Sequence, residues 1–301
     1  MARCVLCPRR CDAERGERSG AGFCRMGTLP VVARAAAHFW EEPCLSGTRG
    51  SGAVFFSGCP LGCVFCQNKP ISHENAGVAM TPRALSKLFE RVEALGVHNL
   101  NLVTPTHFAP AIFEALSMRK PGVPVVWNSG GYETAEMIEQ ARGLVDVFLP
   151  DFKYATAQTA AQLASAPDYP DVALAANRAM CAQTGAPVYD ADGLLLRGTL
   201  VRHLVLPLRV EESLQILELI ARELPKGTPV SLMRQYTPLY TTNIPGLDRR
   251  LTAREYARVR DRMEALELPG YTQGAKAADG AFTPAFLDAE STRLFPDGAE
   301  G

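Results

Sequence analysis

The chain has 301 residues, with 31 Lys and Arg against 32 Asp and Glu, a formal net charge of −1 and 47% hydrophobic residues. These values exclude disordered, collagen-like and fibrous chains. The near-zero charge also speaks against a dedicated nucleic-acid binder, which is usually basic.

Residues 1–50 read as a Cys-rich leader. Of the nine cysteines, eight (4, 7, 11, 24, 44, 59, 63 and 66) lie in the first 66 residues. Met1-Ala2-Arg3-Cys4 leads into a polar, arginine-rich stretch with no signal-peptide pattern, and no apolar run reaches the roughly 18 residues of a membrane span. The expectation is a soluble cytoplasmic protein in a reducing compartment, where close cysteine spacings point to metal rather than disulfides. Cys4-x2-Cys7-x3-Cys11-x12-Cys24 offers four thiols, a donor set for a closed tetrahedral zinc site or a second iron–sulfur cluster. A leader without stable metal stays open as a third reading. Cys44 and Cys181 read as buried, inert thiols.

From residue 51 short apolar runs alternate with helical patterns. Ala53–Phe56 is a strand ending at Ser57-Gly58. Thr81 then fits an N-cap and Pro82 the first helical position, with Leu85, Leu88, Val92 and Leu95 at helical spacing. Strands follow at Asn99–Val103, Val123–Trp127 and Val145–Leu149, with helices over Ala109–Met118, Glu133–Arg142, 156–165 and 171–184. Asp190-Ala191-Asp192-Gly193 turns a small hairpin. Leu200–Leu206 is a strand with a helix over Glu211–Leu224, Val230–Met233 is the last strand, and Thr252-x-x-Glu255 is a capping box opening a final helix to about residue 267. Strands apolar throughout suit a parallel sheet covered by helices, which right-handed crossovers roll into a barrel. Six units predict an α/β fold with a partial (β/α)6 TIM-like barrel over 51–276, open on one side, and 277–301 as a loose C-terminal tail.

The strongest signal is Cys59-Pro60-Leu61-Gly62-Cys63-Val64-Phe65-Cys66, a C-x3-C-x2-C triplet directly after the first strand. That loop lies at the C-terminal face, where such barrels carry their chemistry. Three thiolates can hold three irons of a [4Fe–4S] cluster and leave the fourth open, whereas an electron-transfer cluster takes four. A structural zinc knuckle or an oxygen-sensing cluster is the competing reading. With Phe65 before the last cysteine, the motif resembles the signature of the radical S-adenosylmethionine (SAM) superfamily. The resemblance implies that the open iron binds the amino and carboxylate groups of SAM. One electron from the reduced cluster then cleaves the sulfonium C–S bond, giving methionine and a 5′-deoxyadenosyl radical.

The resemblance spans nearly the whole chain and points to the glycyl-radical-enzyme activases of the pyruvate formate-lyase activating type, above all their poorly characterised relatives. Asp151-Phe152-Lys153 is similar to the activases' Asp-Leu-Lys, whose Asp and Lys help hold SAM; a Lys ammonium suits the methionine carboxylate. Trp127-Asn128-Ser129-Gly130-Gly131 resembles their Thr-Asn-Gly, and Arg202-His203-Leu204-Val205-Leu206-Pro207 their fifth strand. Tyr236 stands where activases often end strand six in a His. Two segments depart. Thr104-Pro105-Thr106-His107 replaces the Gly-Gly-Glu SAM motif after strand two, leaving backbone and hydroxyl oxygens to accept the SAM ammonium. Glu41-Glu42-Pro43-Cys44-Leu45-Ser46-Gly47 replaces the Asp-Gly-Pro-Gly segment that helps position a substrate peptide. The cofactor contacts so implied are Phe65, Thr104, Thr106, Asn128, Asp151, Lys153, Arg202 and Tyr236, with Cys59, Cys63 and Cys66 on the cluster. Alternatively, Asp151, Lys153 and His107 form a structural ion network at the rim. Asn68 pins the cluster loop or is a turn residue, and His38, His73 and His98 read as surface or rim residues.

The implied function is a radical SAM enzyme of oxidoreductase type that activates a glycyl radical enzyme, reduced by a flavodoxin or ferredoxin-like donor. Radical modification of another protein, RNA or a small molecule is the second reading. The third is an iron–sulfur electron-transfer or sensor protein without catalysis. Neither a membrane nor a nucleic-acid partner is expected. Arg250, Arg254, Arg258 and Arg262 make a basic stripe beside an apolar face of Tyr256, Val259, Met263 and Leu266. Balanced by Glu255, Asp261, Glu264 and Glu267, it reads as a solvated face rather than a dock for an acidic donor.

Overall fold

A computed structural model describes residues 3–274 and 284–296 of the chain. Its first element falls inside the predicted leader. β1 (Val31–His38) connects through α1 (Pro43–Ser46) to β2 (Ser51–Phe56) and pairs with it antiparallel. A leader running to residue 50 is thereby corrected: Ala33, Ala35 and Ala36 lack the branched side chains that announce a strand, yet they are buried in the sheet. After β2 come α2 (Lys69–Ser72) and β3 (Val78–Ala79), which pairs with β1.

The strand–helix alternation then runs as the sequence predicts. α3 (Pro82–Glu93) starts with the Thr81 hydroxyl accepting from Ala84 N and Pro82 in the first turn. β4 (Leu100–Val103), α4 (Ala109–Met118), β5 (Val125–Ser129), α5 (Ala135–Gln140), β6 (Val147–Pro150), α6 (Ala157–Ala164) and α7 (Tyr169–Thr184) follow. β7 (Val188–Tyr189) and β8 (Leu195–Thr199) form the small hairpin. β9 (Val201–Leu204), α8 (Val210–Glu223), β10 (Val230–Met233) and α9 (Ala253–Ala265) complete the sixth unit, with the Thr252/Glu255 capping box opening α9. β11 (Gly270–Thr272) and α10 (Ala289–Thr292) come last.

The strands order as β3-β1-β2-β4-β5-β6-β8-β7 in one sheet and β11-β10-β9 in the other. β2, β4, β5, β6 and β8 are parallel, as are β9, β10 and β11, and a parallel bridge between Asp151 and Arg202 links β6 to β9. This is the partial barrel the six units predict, extended by antiparallel β1 on one edge and by β11 on the other. β11 has no signal in the sequence, because Gly270-Tyr271-Thr272 contains no apolar run. β2, β4, β5 and β6 are buried at every residue, because helices cover one face and the barrel interior fills the other. Leu85, Leu88 and Val92 of α3 are fully buried, each worth roughly 1.5–3 kcal/mol of transfer free energy.

Residues 284–296 are not the loose tail that the sequence suggests. The buried Arg34 guanidinium donates to Ala285 O and to Ser291 Oγ, both at 3.0 Å, and Arg91 donates to Phe295 O at 2.8 Å. Phe286 meets Phe55 edge-on at 5.5 Å between centroids. A buried guanidinium needs acceptors, and this segment supplies them to β1. Residues 277–283 and 297–301 of the expected tail lie outside the described residues. Among the described residues no helix is long and apolar enough to cross a membrane.

Candidate active site

β2 delivers the cysteine triplet to the C-terminal ends of the parallel strands. Cys63 is buried, Cys59 and Cys66 are half-buried, and all three line one cavity. Three backbone bonds pin the loop: Gly58 N to Ile71 O (2.8 Å), Val64 N to Leu163 O (2.9 Å) and Cys66 N to Cys63 O (3.0 Å). The Tyr154 hydroxyl donates to Cys63 Sγ at 3.1 Å and Leu61 N to Cys59 Sγ at 3.4 Å. Burial pushes the Cys59 thiol up to about 12, and it also raises Cys63 against the opposing pull of Lys153. Such thiols become thiolates only when a metal stabilises the anion. Among the described residues, no three His, Cys, Asp or Glu side chains converge as ligands of one metal ion. A zinc knuckle needs that convergence, with every sulfur about 2.3 Å from the same ion. Three thiols on one loop that line one cavity are the donor set a [4Fe–4S] cluster with one open iron would take.

A buried ionic network forms the cavity floor. Asp151, at the end of β6, pairs with Lys153 through Oδ2 and accepts from Arg202 Nε at 3.0 Å through Oδ1. Arg202 also donates to Asn128 Oδ1 at 2.7 Å and to Glu41 Oε2 at 3.4 Å. Burial alone would raise the Asp151 carboxyl, but Arg202 and Lys153 outweigh it and hold it below the usual range. Burial opposes the charge on Lys153, yet Asp151 and Cys63 keep the ammonium more strongly protonated than a free lysine. Glu41 accepts from Asn101 at 3.2 Å and Asn128 at 3.3 Å, and burial raises its carboxyl against the pull of Arg202. Asn128, Asp151, Lys153 and Arg202 are thus brought together as one group. Glu41, from the segment that differs from the activases, joins them unforeseen.

Glu133 is the residue that sequence reasoning missed. It is 3% exposed and lines the cavity. Its Oε1 accepts from Thr106 Oγ1 at 2.7 Å, and its buried Oε2 has no partner. Burial raises its carboxyl to about 7. A signal does exist: Gly130-Gly131-Tyr132-Glu133 is a Gly-Gly-x-Glu stretch, one strand later than the activase motif stands. Gly131 has φ +73°, and a Cβ there would collide with the Asp151 carbonyl, so only glycine lets this loop cross the end of β6. Thr106 lines the cavity as well, with its hydroxyl on Glu133. Thr104 lines the cavity at φ +59°, a strain of order 1–3 kcal/mol for a non-glycine residue, of the kind that clusters at functional sites.

Phe65 and Tyr236 form an apolar wall, with centroids 5.9 Å apart, and the Tyr236 hydroxyl donates to Leu247 O at 2.6 Å. Asn68 also lines the cavity, with a buried Oδ1 that has no partner. His107 lies outside it. Its Nε2–H donates to Ser57 O at 2.7 Å, and burial lowers its pKa to about 4, so a neutral imidazole braces the start of the cluster loop. Two arginines of the stripe are engaged: Arg258 pairs with Glu211 and Arg262 with Glu218, tying α9 to α8. His38 and Trp40 also line the cavity.

Comparison with known proteins agrees with this geometry. An uncharacterized protein from Methanocaldococcus jannaschii, MJ0674, is 29% identical over 278 residues, covering 88% of this chain and 75% of its own length. A radical SAM methyltransferase from Sphaerobacter thermophilus shares the fold, with a TM-score of 0.52 and 14% identity over 77% of this chain and 69% of that one. Residues 53–179 match the Radical SAM superfamily. That stretch runs from the strand bearing the thiol loop through the strand bearing Asp151 and Lys153, and over it the chain is similar to the radical SAM superfamily.

Proposed function

We propose that this is a SAM-cleaving radical enzyme of activase-like architecture, with Cys59, Cys63 and Cys66 as its three cluster ligands. One observation carries the reading. A single cavity at the strand ends gathers three thiols, a half-buried lysine and a carboxylate with one unpartnered oxygen. The chemistry supplied there, once cluster and SAM are bound, is one-electron cleavage of the sulfonium carbon–sulfur bond, yielding methionine and a 5′-deoxyadenosyl radical. The chain's own residues bind and orient. Lys153 offers its ammonium to the methionine carboxylate, and Glu133 Oε2 accepts from the methionine ammonium, a charge-assisted pair at each end. Asp151 and Arg202 hold Lys153 in place, while Phe65 and Tyr236 keep water from the reacting carbon. The electron comes from a flavodoxin or ferredoxin-like donor.

The activase likeness supports a glycyl residue of a partner enzyme as hydrogen donor. A small-molecule substrate is the second reading, favoured by Glu41: the segment replacing the peptide-positioning one is tied into the cavity floor through Arg202, Asn101 and Asn128. The test is anaerobic reconstitution with iron, sulfide and SAM, followed by dithionite. The wild type should release 5′-deoxyadenosine, and Cys59→Ala should lose that activity at least 100-fold, taking about 10² as the scale of a disabled site. Equal release from both proteins, or none from the wild type, defeats the reading. A glycyl-radical doublet in a partner's EPR spectrum then selects the activase reading; its absence beside an altered small molecule selects the other.

A further inference from the structure

The site just described leaves the four leader cysteines unused. Cys4, Cys7 and Cys11 follow one another closely in sequence, and the leader's fold brings Cys24 toward them. Cys4 N donates to Ala13 O at 3.0 Å, Asp12 N to Cys4 O at 3.1 Å and Arg10 N to Cys7 O at 3.0 Å. Short antiparallel bridges join Arg15 to Gly20 and Ser19 to Met26. Cys7 is then close enough to Cys24, Cys4 and Cys11 for each to act on it electrostatically, and Cys24 feels Cys4 and Cys11 in the same way. A Cβ on Gly22 would stand 2.9 Å from Cys11 Sγ, so the glycine leaves the space that thiol occupies. None of the four is in a disulfide.

Two further observations point to a ligand. Between residues 3 and 29 the buried hydrophobic side chains are Cys7 and Met26 alone. A segment with so little core of its own is ordered by a staple such as a metal. Three closely spaced thiols with a fourth farther on, Cys4-x2-Cys7-x3-Cys11-x12-Cys24, follow the run of iron–sulfur ligands more nearly than the two cysteine pairs of a zinc site. Arg15 Nη1 lies 3.9 Å from Cys4 Sγ, a cation beside what would be an anionic thiolate set.

We infer that Cys4, Cys7, Cys11 and Cys24 hold a second [4Fe–4S] cluster, closed by four thiolates and therefore unable to bind SAM at iron. The site is fixed to the cysteine loop of the cavity. Arg9, between two of its ligands, donates to Pro60 O at 2.8 Å, Leu61 O at 3.4 Å and Ala164 O at 2.6 Å. Phe23, next to Cys24, lies 3.8 Å from the same guanidinium. The inference does not depend on the proposed activity, and its test is read as metal content.

The full chain carrying Cys59→Ala, Cys63→Ala and Cys66→Ala is reconstituted anaerobically, then assayed for iron, sulfide and zinc and by EPR after reduction. The expected result is about four irons per chain with a [4Fe–4S] signal, although 5′-deoxyadenosine release is gone. One zinc per chain, or no bound metal, overturns the inference. Cys11→Ala in the otherwise wild-type chain is the second arm, because Cys11 is exposed and its loss disturbs packing least. Its iron should fall from about eight per chain toward four, with the circular dichroism melt of the barrel retained. Iron undiminished in that variant overturns the inference as well.

Discussion

At the scale of single residues, the site depends on charges held away from water, and Glu133 is the most informative. Burial raises its carboxyl to about 7, while an ammonium partner requires the carboxylate. In the proposed binding mode a proton therefore leaves when SAM binds. Affinity should climb about tenfold per pH unit below 7 and flatten above it. Isothermal titration from about pH 5.5 to 8 checks this: Glu133→Gln should bind more weakly and lose the slope. A wild-type profile as flat as that of the variant would remove Glu133 from the site. The same shift acts on the protein without SAM. A carboxyl raised by folding stabilises the fold below its unfolded pKa, and that contribution is lost as pH rises through about 7. Lys153 and Asp151 are legible in the sequence as a motif, because two opposite charges closing an otherwise apolar strand stand out from it. Glu133 is not, since its only signal is a glycine pair in a loop where the activase pattern places no carboxylate. Glu41 is less legible still: its partners lie on β4, β5 and β9, and nothing local announces them.

At the scale of elements, helices with polar caps are legible in the sequence and strands poor in branched residues are not. α9 shows the first case. The Thr252 hydroxyl accepts from Glu255 N at 3.2 Å, and the Glu255 carboxylate accepts from Thr252 N at 2.9 Å. Thr252→Ala should cost about 1 kcal/mol in urea unfolding and leave SAM affinity unchanged, because no described α9 residue lines the cavity and α9 reaches it through intermediaries such as the Tyr256 hydroxyl on Leu232 O at 2.8 Å. A shift in SAM affinity would show that α9 positions the site as well as covering it. β1 and β11 show the second case. An alanine-rich run behind Val31-Val32 and a lone Tyr-Thr pair behind Gly270 are too short a strand signal to stand out, and both become strands because a sheet edge with unpaired backbone groups lies beside them.

At the scale of the molecule, the leader, the barrel and residues 284–296 are held by arginines that reach across sequence. Arg9 ties the leader to the cysteine loop and to the end of α6, and Arg34 ties residues 284–296 to β1. Hydrogen bonds from a charged donor contribute about 1.5–3 kcal/mol each, so Arg9→Ala should loosen the leader without unfolding the barrel. Limited proteolysis checks it: cleavage within residues 10–24 should speed up several-fold while the barrel fragment survives. An unchanged cleavage rate would mean that the leader is held by its own contacts. Such long-range ties leave no periodic trace in the sequence, which is why the barrel is legible there and the packing around it is not.

The antiparallel pairing of β1 with β2 also bears on the order in which the molecule assembles. It closes a connection of roughly a dozen residues, whereas each parallel neighbour waits for a crossover helix to be made and docked. Contacts so near in sequence form early. On a chain emerging from the ribosome, the strand that carries the cysteine loop is therefore anchored before the strands bearing Asn128, Lys153 and Arg202 have been synthesised. The thiols wait for the charges, and the cavity closes around a loop already in place.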